Sequence, residues 1–365
     1  MNKVKIIHLI TGNEGGGSEK MLEKLIKHSP NYHEHHVILL KLGNRLDVKH
    51  CYHFNFTKNP IRFLVEFLKL ANLFNYLKPD LAMSWLYHSD LLIFFLSKIL
   101  RFPTMRILWN VRCSYLDLKD YSFITRIVLY LTTKISKNIG NIIFNSYSGK
   151  QYHKKLGYKN KNMIVIQNGF DLKKFKTNIF KKKILKNKYN IQKKYTIAMV
   201  ARNDPTKNFK IFTNLSDPIF LKNSLDIKYL IAGKNTDKIF IPKKNKQHYL
   251  SLGYKKNIHE YFNIMDVLVL ISKGEGFSNV IGEAMCMNVP IVCNDVGDNR
   301  LIVEKSGIVV SKNPTIYELR TSLIKVLKFK KKYTNGRMII KKKYKIEVIA
   351  KQYEVLFNSI LINKI

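Results

Sequence analysis

Acid is what this chain of 365 residues has little of: 25 Asp and Glu stand against 64 Lys and Arg, a formal net charge of +39. A field of that sign attracts anions, whether phosphorylated substrates, anionic lipid or nucleic acid. Much of the excess lies in Lys- and Asn-rich stretches such as Lys181 to Asn190 and Lys341 to Lys345, which read equally as solvated surface. Cysteine is scarce as well. Cys51, Cys113, Cys286 and Cys293 show neither C-x-x-C spacing nor paired histidines, which argues against a disulfide scaffold or zinc site and for a reducing cytoplasm. Long apolar runs are missing: Leu91 to Leu96 falls far short of the roughly 20 residues that span a bilayer. The N-terminal apolar run stops at Ile10 and enters a glycine loop, so it reads as a first strand rather than a signal peptide. There is no G-x-G-x-x-G fingerprint, no D-x-D pair to hold a metal and no aromatic RNP pattern, so neither metal nor nucleic acid is an expected partner.

What is present is a 46% hydrophobic chain, long enough for two domains. The informative stretch runs from Lys273 to Asp295. It follows Val267 to Ile271, an apolar run of the kind that fills a strand buried on both faces. Gly274 and Gly276 bracket Glu275 and allow a sharp turn. Ser278 or Asn279 can cap a helix carrying Ile281, Ala284 and Met285, and Pro290 opens the next strand, Ile291 to Cys293. The N–H groups from Gly276 to Val280 then form the positive end of a helix, suited to phosphate. Glu275 on the loop and Glu283 within the helix add two carboxylates that can accept hydrogen bonds from sugar hydroxyls. An ordinary βαβ turn with two solvated glutamates is the plain alternative.

The run E-G-F-S-N-V-x-x-E-A-M, followed by V-P-I-V, resembles the E-x7-E signature of retaining glycosyltransferases of family 4, which have the two-domain α/β GT-B fold. The resemblance implies two Rossmann-like doubly wound domains facing each other across a cleft. It also implies roles: Glu275 is a catalytic residue that, with Gly276, Phe277, Ser278, Asn279 and Val280, holds the donor sugar in position, and Glu283 holds the ribose. Arg202 and Lys207 match the family's [GA]-R-x4-K element, whose cations neutralise the departing diphosphate. Charge develops on that leaving group as the bond breaks, and cations already in place stabilise it without reorganisation. Gly16 and Gly17 match a glycine pair under the donor diphosphate, and Ile258 a residue near the nucleotide base. No cofactor follows from this reading; the nucleotide sugar is the substrate.

Val4 to Ile10 reads as the first strand, and Thr11 to Glu19 as a glycine loop in which Ser18 caps the next helix. That loop is either a ligand cradle at the carboxyl end of a parallel sheet or a flexible turn. His33, His35 and His36 lack an acidic or cysteine partner at metal-ligand spacing and read as surface residues before a strand from Val37 to Leu40. His88 follows the strand Leu81 to Leu86. It is either a cleft histidine that aids catalysis or a core histidine satisfied by backbone. Asn110 and Arg112 close the next strand and point to acceptor binding, Arg112 by a bidentate grip on phosphate or carboxylate. Phe123 to Ile135 has helical spacing with Arg126, Lys134 and Lys137 nearby. It suits an anionic membrane surface or, equally, a buried helix with a charged outer face.

The expected layout is a first domain over 1–172, a linker over 173–194 and a donor domain over 195–342, with a C-terminal helix over 343–365 crossing back to the first. The reaction expected is sugar transfer with retention from a nucleotide sugar, UDP-linked, to a glycan or polyprenyl-diphosphate-linked acceptor. Its setting is bacterial O-antigen or capsule synthesis, in the cytoplasm or on the inner face of the plasma membrane. A GT-B sugar-nucleotide epimerase and a basic nucleic-acid-binding protein are the alternatives.

Overall fold

The computed structural model describes residues 3–12, 16–43, 46–114, 122–192, 194–216 and 226–362. Residues 13–15 of the expected glycine loop, residue 193 of the expected linker and the last three residues lie outside them. The chain divides into two units, Met1–Gly169 with Ile346–Ile365, and Phe170–Lys345.

The first unit is a parallel sheet of β1 (Val4–Ile10), β2 (His33–Leu39), β3 (His50–His53), β4 (Leu81–Trp85), β5 (Ile107–Val111), β6 (Asn141–Phe144) and β7 (Met163–Val165), in the order β3-β2-β1-β4-β5-β6-β7. β4 and β5 are buried throughout, as strands covered on both faces must be. One face carries α2 (Pro60–Leu77), α3 (Tyr87–Ile99), α4 (Phe123–Ile135) and α5 (Tyr147–Leu156), with Leu70, Phe74, Ile93, Trp109 and Leu129 in its core. The other carries α1 (Gly17–Lys27) and the C-terminal helix Ile346–Ile362. That last helix buries Ile346, Ile349, Ala350, Tyr353 and Phe357, a stripe at helical spacing.

The second unit repeats the plan with β8 (Tyr195–Val200), β9 (Ile227–Ala232), β10 (Tyr249–Gly253), β11 (Val267–Leu270), β12 (Ile291–Asn294) and β13 (Gly307–Val310), all parallel, in the order β10-β9-β8-β11-β12-β13. In each sheet the strand order reverses once, between β1 and β4 and between β8 and β11. Successive connections leave in opposite directions there and open a crevice at the carboxyl ends, where ligands bind in doubly wound folds.

Several expectations need correcting. The stretch 173–194 is no free linker: it contains α6 (Ile179–Lys188), and Phe175, Leu185 and Ile191 enter the second unit's core. The chain passes between units at Gly169–Phe170 because the Phe170 N–H donates to the Tyr344 carbonyl (2.9 Å) and its ring stacks on Phe277. A Cβ on Gly282 would lie 2.0 Å from that ring, so the glycine leaves room for it. Ser18 caps nothing; α1 starts from Gly16, and the Ser18 hydroxyl donates to Glu19 (2.8 Å).

The histidines are not on the surface. β2 begins at His33, and His33, His35 and His36 are buried between β1 and β3. The Trp85 indole N–H donates to His8 Nδ1 (3.3 Å), so His8 carries its proton on Nε2 and donates to His35 Nδ1 (2.8 Å). Both rings are therefore neutral. Burial first, then neighbouring histidines, hold His8 well below its ordinary pKa and His35 at about 3.

Candidate active site

Three adjacent strands of the second unit, β8, β11 and β12, end side by side. After β8 comes a tight turn, Pro205–Lys207, shaped by Asp204. One Asp204 oxygen accepts from the Thr206 amide (2.9 Å) and hydroxyl (2.7 Å). Burial alone would raise the Asp204 pKa; the Thr206 bonds, with Arg202 and Lys207 nearby, bring it below the ordinary value. The Thr206 carbonyl accepts from the Lys273 amide (2.8 Å), which joins this turn to the loop after β11.

That join aligns the charges. Lys207 Nζ forms an ion pair with Glu275 Oε1, and the Ser272 hydroxyl donates to the same oxygen (2.6 Å). Lys207 follows β8 and Glu275 follows β11, so the pair spans the reversal of strand order. Beneath it, Gly297 has φ +59°, and a Cβ there would meet the Glu275 carbonyl at 2.3 Å; only glycine lets the loop after β12 pass so close. The Asp298 amide donates to the Gly276 carbonyl (3.0 Å) and completes the support.

The helix Asn279–Cys286 starts from Ser278, whose hydroxyl is engaged by Asn299 Oδ1 (2.7 Å) instead of capping. Its N-terminus is thus without a side-chain cap, with the positive end of the helix facing the loop that carries Glu275. Phe277 is buried against Phe170 and Tyr344 and so anchors the loop as core. Asn279, Val280 and Glu283 are half-buried along the first turns. Arg202 is more exposed and pairs with Asp204 (3.2 Å). Ile258 follows β10, two strands from the β8–β11 reversal, and packs on the core that includes Phe262.

In the first unit Gly16 and Gly17 follow β1 and His88 follows β4, again at the reversal, where Thr11 and Ser89 hydroxyls meet (3.3 Å). Leu86, the residue before α3, has φ +75°, a strained conformation that turns the chain sharply before His88. Burial, then the Lys41 ammonium, lower the His88 pKa, so the imidazole is neutral at pH 7. Asn110 does not offer itself to a ligand. It is buried, with its amide donating to the Tyr353 hydroxyl (3.1 Å) and its oxygen accepting from Arg112 (3.3 Å). Arg112 also bonds Asn168 and lies over Trp85, 5.5 Å from the ring centroid. The partners given by these contacts are neutral, an arrangement that positions a guanidinium without cancelling its charge.

Local sequence pattern assigns no role to Ser272, Asn294 or Asp90. Asp90 is wholly buried in the first turn of α3, takes a hydrogen bond from Ser84 (2.5 Å), and is pushed up by burial to about 8. An S-x-x-E spacing was the one available hint for Ser272.

Residues 15–174 match the family described as Glycosyltransferase Family 4, and residues 194–328 match Glycosyl transferases group 1. The chain belongs to this family of GT-B glycosyltransferases. A curated relative from Campylobacter jejuni, N,N'-diacetylbacillosaminyl-diphospho-undecaprenol alpha-1,3-N-acetylgalactosaminyltransferase, is 27% identical over 247 residues. That match spans 65% of this chain and 64% of the relative, under two thirds of its length. Among solved structures, Anabaena HepE in complex with UDP is similar with a TM-score of 0.82 at 19% identity, over 98% of this chain and 100% of that one. A glycosyltransferase from Rickettsia africae gives 0.78 at 16%, covering 99% of each. Sucrose-phosphate synthase from Thermosynechococcus elongatus gives 0.76 at 17%, over 99% and 100%. At these identities the likeness establishes the fold of this GT-B glycosyltransferase and leaves its substrates open.

Proposed function

We propose that the chain transfers a sugar, with retention, from a UDP-linked donor to a glycan or polyprenyl-diphosphate-linked acceptor in bacterial surface polysaccharide synthesis. The observation that carries this reading is the Lys207–Glu275 pair across the β8–β11 reversal, beside a helix N-terminus without a side-chain cap. Lys207, Arg202 and the amides from Gly276 to Val280 take the diphosphate; Glu275 accepts from sugar hydroxyls and Glu283 from the ribose. Gly16, Gly17 and Ile258 keep the donor roles that the family resemblance implies. HepE, solved with UDP, and the Campylobacter relative, named for a diphospho-undecaprenol substrate, support the donor and acceptor classes.

In the reaction the anomeric C–O bond to phosphate breaks as a bond to the acceptor oxygen forms on the same face. The acceptor proton passes to the departing phosphate oxygen, and the remaining negative charge rests on UDP. Cations and helix amides lower that barrier electrostatically, which is why the reaction is proposed to run without a metal. In the first unit Arg112, its charge uncancelled by its neutral partners, is assigned to acceptor phosphate, and His88 aids catalysis as a neutral imidazole.

A cytoplasmic enzyme resting on the inner membrane face fits one further observation. α4 buries Val128, Leu129 and Thr132 and exposes Phe123, Ile124, Ile127, Tyr130 and Leu131 beside the exposed cations Arg126 and Lys134, so its outer face joins apolar side chains to positive charge. Among the described residues no helix is long and apolar enough to cross a membrane.

The test is a thermal-shift panel of UDP, GDP and their sugars. UDP compounds should raise the melting temperature, less so in Glu283→Ala and Arg202→Ala. An unchanged melting temperature with every nucleotide ends the proposal.

A further inference from the structure

We infer that Ser272 is a positioning residue that keeps Glu275 aimed once the donor has drawn Lys207 away, and that Asn294 fixes Ser272 for this purpose. The inference rests on the donor reading proposed above.

The backbone ladder between β11 and β12 ends at the Leu270–Cys293 pair. One step further the Asn294 carboxamide takes over as a strand partner. Its Oδ1 accepts from the Ser272 amide (3.0 Å), and its Nδ2 donates to the carbonyls of Ser272 (2.8 Å) and Lys312 (2.8 Å). Ser272 and Asn294 are 2% and 1% exposed, so water cannot replace these bonds cheaply. The Ser272 backbone is therefore fixed, and its short side chain delivers the hydroxyl to Glu275 Oε1 from a rigid base.

Two groups share that oxygen, and they differ in kind. Lys207 is a charge on a flexible stem, and a diphosphate carrying two or more negative charges competes for it directly. The Ser272 hydroxyl is neutral, so the diphosphate exerts no comparable pull. When Lys207 turns to the phosphates, Ser272 retains the carboxylate in the orientation it had beforehand. In the free protein the two holds are redundant, and losing the hydroxyl has little effect. In the donor complex the hydroxyl matters, because the carboxylate has lost the hold of Lys207 and meets the sugar hydroxyls in the right geometry only while Ser272 holds the same oxygen.

Isothermal titration with UDP, UDP-glucose and UDP-N-acetylgalactosamine tests this, together with the rate of UDP release from each sugar nucleotide. Ser272→Ala should melt within about 1 °C of the wild type and bind UDP within about twofold. Its gain in affinity from UDP to the preferred UDP-sugar should shrink roughly 10-fold, the scale of one hydrogen bond to a charged group. UDP release should slow by a similar factor, and Ser272→Thr should restore part of it. In a Glu275→Gln background, Ser272→Ala should add little, since both changes act on one contact. A Ser272→Ala protein that keeps the full sugar increment overturns the inference. So does one that loses UDP and UDP-sugar affinity equally, or loses several degrees of melting temperature, because the serine is then structural. A wild type that binds none of the three ligands overturns the proposed function itself, and the inference with it.

Discussion

The two units share one topology but stabilise buried acid in opposite ways. In the first, Asp90 lies wholly inside with a serine as partner, and burial pushes it to about 8, so it is protonated at neutral pH. In the second, Asp266 is also buried but stays charged. Lys330 pairs with it (2.5 Å), and the Thr196 amide donates to it (2.9 Å). Burial alone would raise the Asp266 pKa; Lys330, Thr196 and Lys186 together bring it below the ordinary carboxylate value. The same contrast holds for the other polar groups. The first unit buries neutral histidines in a Trp85–His8–His35 chain, and the second places an ion pair, Lys207–Glu275, at its crevice. A doubly wound sheet tolerates buried polarity by neutralising it either through protonation state or through a counter-ion. The second solution leaves charges that a phosphate can recruit.

The comparison can be broken by pH. Both tryptophans, Trp85 and Trp109, are in the first unit, so their fluorescence follows its unfolding alone. The largest effect is expected from Asp90→Asn. A carboxyl raised from 3.8 to about 8 in the fold costs stability progressively as pH rises through that window. The amide removes the cost, so urea unfolding should show a gain on the order of 5 kcal/mol at pH 8 that shrinks towards zero near pH 4. A gain independent of pH would mean that Asp90 is charged in the fold.

Lys330→Met comes next, with a loss of roughly 2 kcal/mol in the second unit. That is below the range for fully buried pairs, because the Lys330 side chain is a third exposed. Here the folded pKa is depressed, so the pair's contribution is present above the unfolded value and fades as pH falls through the carboxylate range. Hydrogen exchange of β8 and β11 amides should register the change while tryptophan fluorescence does not.

At pH 7 the smallest effect belongs to the histidines, which are largely neutral there in the folded and unfolded chain alike. Their folded pKa values are lowered, so the unfolded chain takes up protons first, and stability is lost as pH falls below about 6.5. Each contributes a slope of about 1.4 kcal/mol per pH unit until its own folded pKa is reached. His35→Phe should flatten the acid limb of the first unit's stability curve; an unchanged limb would show that the buried imidazoles take up protons without unfolding.

Local pattern sufficed where local chemistry decides. The expected strand Val4 to Ile10 and helix Phe123 to Ile135 have those bounds in the structure, because strand alternation and helical spacing are written within ten or so residues. The loop with Glu275 was legible for the same reason: two glycines, a helix start and two acids lie within eleven positions of one another. The histidines of β2 misled because a polar run before an apolar one looks like a surface, and their partners, His8 and Trp85, lie on other strands. Why position 170 holds a phenylalanine is not legible locally, because the space for its ring is supplied by Gly282, more than a hundred residues on.

By itself the sequence determined the class of fold, the family and the short segments that carry charge at strand ends, since periodicity, glycine placement and the spacing of acids and cations are properties of neighbouring residues. Tertiary structure alone decided which of those charges meet. Lys207 reaches Glu275, and Ser272 and Asn294 hold it, only because parallel pairing aligns the ends of β8, β11 and β12. Contacts between residues 22 or 68 positions apart are set by strand register and burial, and no local pattern encodes either.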